Sequence, residues 1–402
     1  MFQSERRQKI YAWLEEYERA TVTGLAEQFG VTKETIRSDL NALAAEGRIE
    51  RCHGGATVIR RSLNSRLIAE SGETFEVLLA RINHQQQSRK ILQGEAMNGK
   101  VCILGSFNVD IVARVERFPK GGESLLAKGS SLGPGGKGAN QALAASCAGA
   151  KVHFVSKVGS DQFSQFAFDH LTSSDIHSLR LWQSENEPTG NAIIYVSEAN
   201  GENMIAIYPG ANKTLTSSEI ADMAEDLADS EILLVQLENN FDATLNAIRL
   251  AKELSVRVVL NPAPVSEEII SWLPMVDILT PNETEASVLS GIEVKDVESA
   301  KQAARKIADL GARQIIITMG SRGALLYDGQ QFQHIPSFPA LSVDTTGAGD
   351  AFNGAFVAAL AAGESEVQAA TFASAFASLA VEREGASNMP SREQAVSRLS
   401  RR

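Results

Sequence analysis

The strongest constraint on this chain is a rhythm. From Val101 onward, short apolar runs (VCIL, VHFV, AIIYV, ILLVQL, VRVVL, VDILT and QIIIT) are separated by stretches whose apolar residues fall at helical spacing. Strands alternating with helices argue for an α/β domain, a mostly parallel sheet with helices on both faces. Ligands of such a sheet gather at the carboxyl ends of its strands. One segment breaks the rhythm. AIIYVSEANGENMIAIYP reads as a hairpin turning at Asn200 and Gly201, and the polar, alternating residues near 111 to 130 are expected to join it as a small β lid.

At 402 residues, 44% of them hydrophobic, the chain has room for two or three domains of roughly 100 to 200 residues. A net charge of −11 argues against a general polyanion binder, but the charge is uneven: residues 1–61 hold ten Lys or Arg against nine Asp or Glu, and residues 101–402 hold 23 against 36. The front segment is therefore free to approach an anion. Cys52, Cys102 and Cys147 are odd in number and far apart, and the six histidines lack HxxxH spacing, so neither a disulfide framework nor a metal site of their making is expected. The charged opening MFQSERRQKI is unlike a secretory signal, and no run approaches the ~20 apolar residues of a membrane helix. A cytoplasmic protein without membrane contact is expected.

In the first 60 residues Ile10, Trp13, Leu14 and Tyr17, then Leu25 and Phe29, then Ile36, Leu40 and Leu43 mark three short helices. Gly30 ends the second, and Thr32 and Thr35 offer hydroxyls to cap the third. Beyond Gly47, two short alternating stretches flank His53, Gly54 and Gly55, the pattern of a two-stranded wing. The run TVTGLAEQFGVTKETIRSDLNALAAEGRIERCHGG resembles the DeoR-type winged helix-turn-helix of bacterial sugar-metabolism regulators. That resemblance implies binding to operator DNA, with Lys33, Thr35 and Arg37 entering the major groove and Arg48, Arg51 and His53 on the wing. Ser38 stands where the family usually carries a second arginine, which removes a phosphate contact. Residues 61–99 read as a linker, part of which (ETFEVLLARINHQQQSRKILQGEA) faintly resembles the opening of the effector domain that normally follows such a module. The expected domains are thus 1–60, the linker 61–99, and 100–402.

Five segments of the third domain carry chemistry. GSFNVD follows the strand VCIL, and Asn108 and Asp110, two apart in an extended stretch, can point an amide and a carboxylate the same way to grip hydroxyls. GPGGKGANQA matches GxGxxG, yet the residues before it are polar and glycine-rich rather than a strand, and Gly138 follows Lys137 where a Walker A loop needs Ser or Thr. What remains is a loop that lets backbone approach a small ligand, with Lys137 and Asn140 as donors. Glu238 ends ILLVQLE. In TPNETE, Asn282 and Glu285 share a helical face suited to waters around magnesium. In VDTTGAGDAFNGAFVAAL, Gly347, Ala348 and Gly349 can aim amides at one point at the start of a helix, an anion site with Asp350 beside it as a base. TMGSRGA adds a further glycine turn.

GGKGANQA and DTTGAGDAFNGA, with GSFNVD, PNETE and TMGSRG in order between them, resemble the ribokinase branch of the PfkB-type carbohydrate kinases over about three quarters of the chain. The resemblance implies a ribokinase-like sheet with a small β lid, and an ATP-dependent kinase making D-ribose 5-phosphate from D-ribose. Asp350 would be the general base, and Gly347, Ala348 and Gly349 would stabilise the transferring phosphoryl group. Asn108, Asp110, Gly136, Lys137, Asn140 and Glu238 would hold the pentose. ATP would lie along Asn282, Thr318, Met319, Gly320, Ser321, Arg322, Gly323, Gly349 and Ser374, the last often histidine in close relatives. Magnesium would be water-bridged near Asn282 and Glu285, and potassium held by Asp344, Thr346, Ala380, Arg383 and Gly385. After Gly385 the chain reads ASNMPS where ribokinases have AQPS, which leaves the last potassium ligand unassigned. Asn108 favours ribose over 2-deoxyribose, because an amide aimed at a hydroxyl loses binding when that hydroxyl is missing. The resemblance further implies a homodimer formed through the lid hairpin. A sugar-sensing regulator with a vestigial kinase domain, or a kinase for 2-deoxyribose or another pentose, is the alternative.

Overall fold

The computed structural model describes residues 3–17, 19–45, 49–52, 55–58, 99–199 and 202–401. The chain divides into two compact units, Met1–Leu78 and Leu79–Arg402. Arg48, His53, the turn at Asn200 and Gly201, and the expected linker apart from Gly99 lie outside the described residues.

The first unit has helices α1 (Gln3–Tyr17), α2 (Val22–Phe29) and α3 (Lys33–Ala45), with strands β1 (Arg19–Thr21), β2 (Ile49–Cys52) and β3 (Gly55–Val58). Ile10, Leu14, Leu25, Ile36, Leu40 and Leu43 are all buried in one core, as their helical spacing requires. The Thr32 hydroxyl caps α3 by accepting from the Thr35 amide at 3.2 Å. β2 and β3 form the expected wing, and β1 makes it a three-stranded sheet by pairing with β3. At three residues, β1 is too short to show a period.

The second unit runs β4 (Lys100–Leu104), β5 (Asn108–Val115), β6 (Gly129–Gly135), α4 (Lys137–Cys147), β7 (Lys151–Val158), α5 (Gln162–Ser173), β8 (Ser178–Gln183), β9 (Asn191–Ser197) and β10 (Asn203–Tyr208). It continues through α6 (Ser217–Asp222), α7 (Ala224–Ala228), β11 (Ile232–Val235), α8 (Phe241–Glu253), β12 (Arg257–Leu260), β13 (Ile278–Leu279), α9 (Glu283–Ser290) and α10 (Val297–Asp309). β14 (Gln314–Thr318), β15 (Ala324–Tyr327), β16 (Phe332–Ile335), α11 (Ala348–Ala361), α12 (Glu366–Ala380) and α13 (Arg392–Leu399) complete it. A nine-stranded sheet has the order β16-β15-β14-β13-β12-β11-β4-β7-β8, parallel from β14 to β8. β4 and β11 are buried almost throughout, which is why they read as unbroken apolar runs.

A separate four-stranded sheet, β10-β9-β5-β6, forms the lid. AIIYV belongs here, paired with β10 and β5, rather than in the main sheet. The residues ahead of the GPGGKG loop are a strand after all: β6 pairs antiparallel with β5, with Asn108 opposite Gly135. Its hydrogen bonds come from a lid partner and its side chains remain partly exposed, so no apolar run was needed to make it. The dinucleotide reading still fails, because β6 lies outside the parallel sheet.

The helix that carries Asp350 is buried along nearly its whole length and packs on α4 and α12. Gly354 permits the close approach to α4: a Cβ there would stand 2.4 Å from the Gln141 carbonyl oxygen and 2.6 Å from the Ala144 Cβ.

Candidate active site

Strand ends and helix starts converge here. Asn108 and Asp110 open β5, Gly136 caps α4, and Lys137, Asn140 and Gln141 occupy the first turn and a half of that helix. Glu238 follows β11, and its Oε2 accepts the Lys137 amide at 2.9 Å and the Ser106 hydroxyl. Asn140 Nδ2 donates to Asp350 Oδ2 at 3.1 Å, and Gln141 Nε2 donates to Asp350 Oδ1 at 2.9 Å. The six residues expected to hold the sugar, and Asp350, are thus brought together. Asn108 is held by Asn212, whose Nδ2 donates to Asn108 Oδ1 at 2.9 Å while it also clasps the Phe107 backbone. The Asn108 Nδ2 has no protein partner among the described residues, so a donor is left for a ligand.

The electrostatics follow from burial. Desolvation, reinforced by the charge of Glu238, pushes the Asp110 carboxyl up to about 6. The Asp350 charge, more than that of Glu238, raises Lys137 despite its burial, so the ammonium is kept. Burial also raises Glu285, against the Asn282 amide and Lys137, which pull it down.

Gly347 caps α11 in the left-handed region, φ 76°, and packs on Ala386, where a Cβ would stand 2.8 Å from the Ala386 Cβ. Any other residue would be strained there. The amides of Gly347, Gly349 and Asp350 have no hydrogen-bond partner among the described residues, whereas the Ala348 amide turns back to the Thr345 carbonyl at 3.2 Å. Of the expected amides, Ala348 is thus the one already engaged.

Two cavities meet at this helix start. One of about 160 Å³ is lined by Lys137, Asn282, Glu285, Gly347, Gly349 and Asp350, among others. A larger one of about 510 Å³ has Thr318, Gly320, Ser321, Gly323, Gly349 and Ser374 on its wall, with Phe338, Pro339, Phe352 and Val381 adding apolar surface. Thr318, Thr345, Ala348 and Gly349 border both. Two expected nucleotide residues stand elsewhere. The Met319 side chain is buried in the main hydrophobic core, leaving only its backbone near the wall, and the Arg322 guanidinium is drawn to Glu283 and the Lys295 carbonyl.

Asn282 caps α9 in a reciprocal box: Glu285 N donates to Asn282 Oδ1 at 2.8 Å, and Asn282 N donates to Glu285 Oε2 at 2.9 Å. The two are therefore locked together on the smaller cavity. Asp344 joins two loops, its Oδ1 accepting the Thr346 amide at 2.9 Å and its Oδ2 the Gly385 amide at 3.0 Å. Burial pushes Asp344 up, but these amide bonds outweigh it and leave the carboxyl below its usual range. The Ala380 carbonyl accepts the Arg383 amide, and the Arg383 guanidinium donates away from the loop to the Met389 carbonyl and Gln394.

Sequence reasoning missed the residues behind these. Asn212 and Gln141 are buried polar side chains that orient the ligand-facing ones, and Asn261 does so while also lining the smaller cavity. Asn261 had a signal, since it ends the strand run VRVVL in the way Glu238 ends its own. Asn212 sits after the lid hairpin, and nothing in its neighbours announces it.

In the first unit, Lys33, Arg37 and Ser38 are exposed on α3 and Thr35 is half-buried. Arg37 pairs with Glu34 at 2.9 Å. Asp39, fully buried, receives Arg6 at 2.6 Å and Arg7 at 3.1 Å, which ties α3 to α1. Arg51 lies on β2, its side chain outside the described set.

A lidded α/β sheet with a buried carboxylate at a glycine-rich helix start is the arrangement of a phosphoryl-transfer enzyme acting on an alcohol, and comparison with known proteins agrees. Residues 98–393 match the pfkB family carbohydrate kinase model, and residues 6–62 match the DeoR-like helix-turn-helix domain. The ribokinase of Haemophilus influenzae is 38% identical over 304 residues, 75% of this chain and 98% of that one. The deoxyribokinase of Salmonella typhi is 39% identical over 257 residues, 64% of this chain and 84% of that one. The solved structure of Arabidopsis thaliana ribokinase complexed with ribose and ATP has a TM-score of 0.69 and 33% identity, covering 75% of this chain and 99% of that one. The chain belongs to the pfkB family of carbohydrate kinases: it is a sugar kinase of the ribokinase type, preceded by a DeoR-type DNA-binding domain.

Proposed function

We propose that the kinase unit transfers the terminal phosphoryl group of ATP to the primary hydroxyl of a pentose, D-ribose before 2-deoxyribose, and that the DNA-binding unit makes transcription respond to that sugar. One observation carries the reading: Asp350, held by Asn140 and Gln141, lies on a small polar cavity with Lys137, Asn282 and Glu285 that shares its border with a larger, partly apolar one. Asn108, Asp110, Gly136, Lys137, Asn140 and Glu238 hold the sugar. Asp350 takes the proton from its hydroxyl. The freed oxygen bonds to the terminal phosphorus as the bond to the bridging oxygen breaks, and ADP leaves with those electrons. The Gly347 and Gly349 amides and the positive end of α11 take up charge on the transferring oxygens. The larger cavity suits the nucleoside, with Thr318, Gly320, Ser321, Gly323 and Ser374 beside it and the apolar wall against the base.

Asn282 and Glu285 suit a water-bridged magnesium ion, which when bound neutralises phosphate charge. The Asp344 carboxylate and the backbone oxygens of Thr346, Ala380, Arg383 and Gly385 would supply the oxygen ligands of a potassium ion. Asn108 is the ground for ribose, because its free amide donor is left without a partner when the 2-hydroxyl is missing. The lid's edge strand β10 bears Met204, Ile205, Ile207 and Tyr208, each about half exposed, and a second copy of the chain is the partner that would cover it. That homodimer would also present paired DNA half-sites.

The experiment is ATP consumption by the full chain with ribose and with 2-deoxyribose, comparing kcat/KM. Absence of turnover with any pentose ends the kinase reading of substrate, and a preference for 2-deoxyribose overturns the role of Asn108. A second activity is favoured by the exposed Lys33 and Arg37 on α3. A mobility shift on the DNA upstream of its own operon, with and without ribose and ATP, tests it, and affinity indifferent to sugar overturns sugar-responsive regulation.

A further inference from the structure

Behind Asp350 runs a file of buried amides with no ionisable member: Gln236, Gln141 and Asn261, which are 1%, 0% and 6% exposed. Gln236 Nε2 donates to Gln141 Oε1 at 2.6 Å. Gln141 Nε2 spends one hydrogen on Asp350 Oδ1 at 2.9 Å and the other on Asn261 Oδ1 at 3.0 Å. Asn261 Nδ2 donates to the Thr280 carbonyl at 3.1 Å.

The direction of this file is determined. A carboxamide can turn over and exchange its oxygen with its nitrogen, so its orientation must come from its partners. The Thr280 carbonyl can only accept, so Asn261 must present its nitrogen there and its oxygen to Gln141. Gln141 must then present its nitrogen, and the hydrogen left over points at Asp350. Gln236 closes the far end by donating to the Gln141 oxygen. On the other flank the Asp350 carboxylate, which can only accept, turns the Asn140 nitrogen to its Oδ2, and the Ser387 hydroxyl stands 3.1 Å from Asn140 Oδ1. Asp350 therefore meets donors on both oxygens, and each oxygen keeps a lone pair for a substrate proton. Gln141 can reach because Gly354, one turn along α11 from Asp350, lets α4 lie against it.

We propose that Gln141, oriented by Gln236 and Asn261, is a positioning residue that holds the Asp350 carboxylate as an acceptor and fixes its rotamer for the substrate hydroxyl. The inference rests on the reading of Asp350 as the base. Gln141 is buried and lines neither cavity, so it acts on the site through Asp350 and through Asn261, which lines the smaller one. Losing the donor frees the carboxylate to turn by a fraction of an ångström, enough to slow the chemical step without loosening the sugar.

The test is steady-state kinetics on the full chain with ribose and ATP, with thermal midpoints, for Gln141→Met, Gln236→Met and Asp350→Asn. Methionine matches glutamine in length and removes the amide. The expected result for Gln141→Met is a kcat lowered by about tenfold or more with sugar KM held within about twofold. Gln236→Met, two residues removed from the substrate, is expected to lower kcat less and in the same sense, and it decides the matter if Gln141→Met does not fold. Unchanged kcat in the folded variants overturns the proposal, as does a rise in KM that accounts for the whole loss of kcat/KM. If Asp350→Asn keeps full kcat, the base reading itself has failed. If it is inactive while the methionine variants are unimpaired, only the role of Gln141 has.

Discussion

Asp350 has Lys137 near it and two side-chain amides donating to its oxygens. Replacing it with asparagine keeps the shape, removes the proton acceptor and turns one Asn140 or Gln141 contact into a donor facing a donor. Asp350→Asn is expected to lower kcat by about a thousandfold while the fold persists, which phosphoryl-transfer assays and a thermal melt would separate. Asp110 gives a different signature. Burial beside Glu238 raises it to about 6, so below that pH it is protonated and loses the charge that strengthens its acceptance of a sugar hydroxyl. Sugar affinity is expected to weaken as pH falls through about 6, and Asp110→Asn to flatten that dependence, both readable by calorimetric titration. The same shift acts oppositely on the free protein. The stability it contributes is fully present below the ordinary carboxylate range and is lost as pH rises through about 6.

The first turn of α11 works because Gly347 accepts a positive φ beside Ala386. Gly347→Ala adds roughly 1–2 kcal/mol of backbone strain and a Cβ contact that must be relieved by moving the turn. Its expected cost is a lower thermal midpoint and a fall in kcat that exceeds any change in sugar KM, because the turn shapes the amides rather than the sugar pocket. In α3 the expectation is electrostatic. Lys33→Ala and Arg37→Ala should each weaken DNA binding across sequences and reduce the slope of log affinity against log salt by about one. An unchanged slope in salt titrations would remove these residues from the phosphate contacts. Both helices were legible beforehand, since α11 opens with a glycine turn and α3 carries a hydroxyl cap and apolar spacing. β6 was not, because GSSLGPG has neither apolar alternation nor β-branched residues, and its pairing with β5 is what makes it a strand.

At the scale of the whole molecule, a sugar kinase and a DeoR-like helix-turn-helix domain share one chain, and the lid edge is the surface proposed for pairing with a second copy. β5 begins at Asn108 and is joined to the loop after α12 by the Arg114 and Glu384 ion pair, while Ser387 stands 3.1 Å from the Pro134 carbonyl of β6. Charging the edge strand with Ile205→Asp and Ile207→Asp is expected to shift the protein towards monomer in sedimentation and to weaken DNA binding through loss of paired half-sites. A variant that sediments like the parent would show that another surface makes the assembly. From the amino-acid order alone came the two units, the strand rhythm, the glycine-rich helix starts and the polar residues that end strands, because propensity, capping and burial period act over a few neighbours and leave their mark in the string. The tertiary structure alone decided which carboxylate oxygen meets which amide, that Met319 turns into the core while Gly349 borders both cavities, that Gln141 and Asn212 stand behind the site and that Asn261 lines it. Those outcomes depend on groups as far apart in the chain as Gln141 and Asp350, brought within hydrogen-bond distance only when helices and strands pack, and no local pattern records such a meeting.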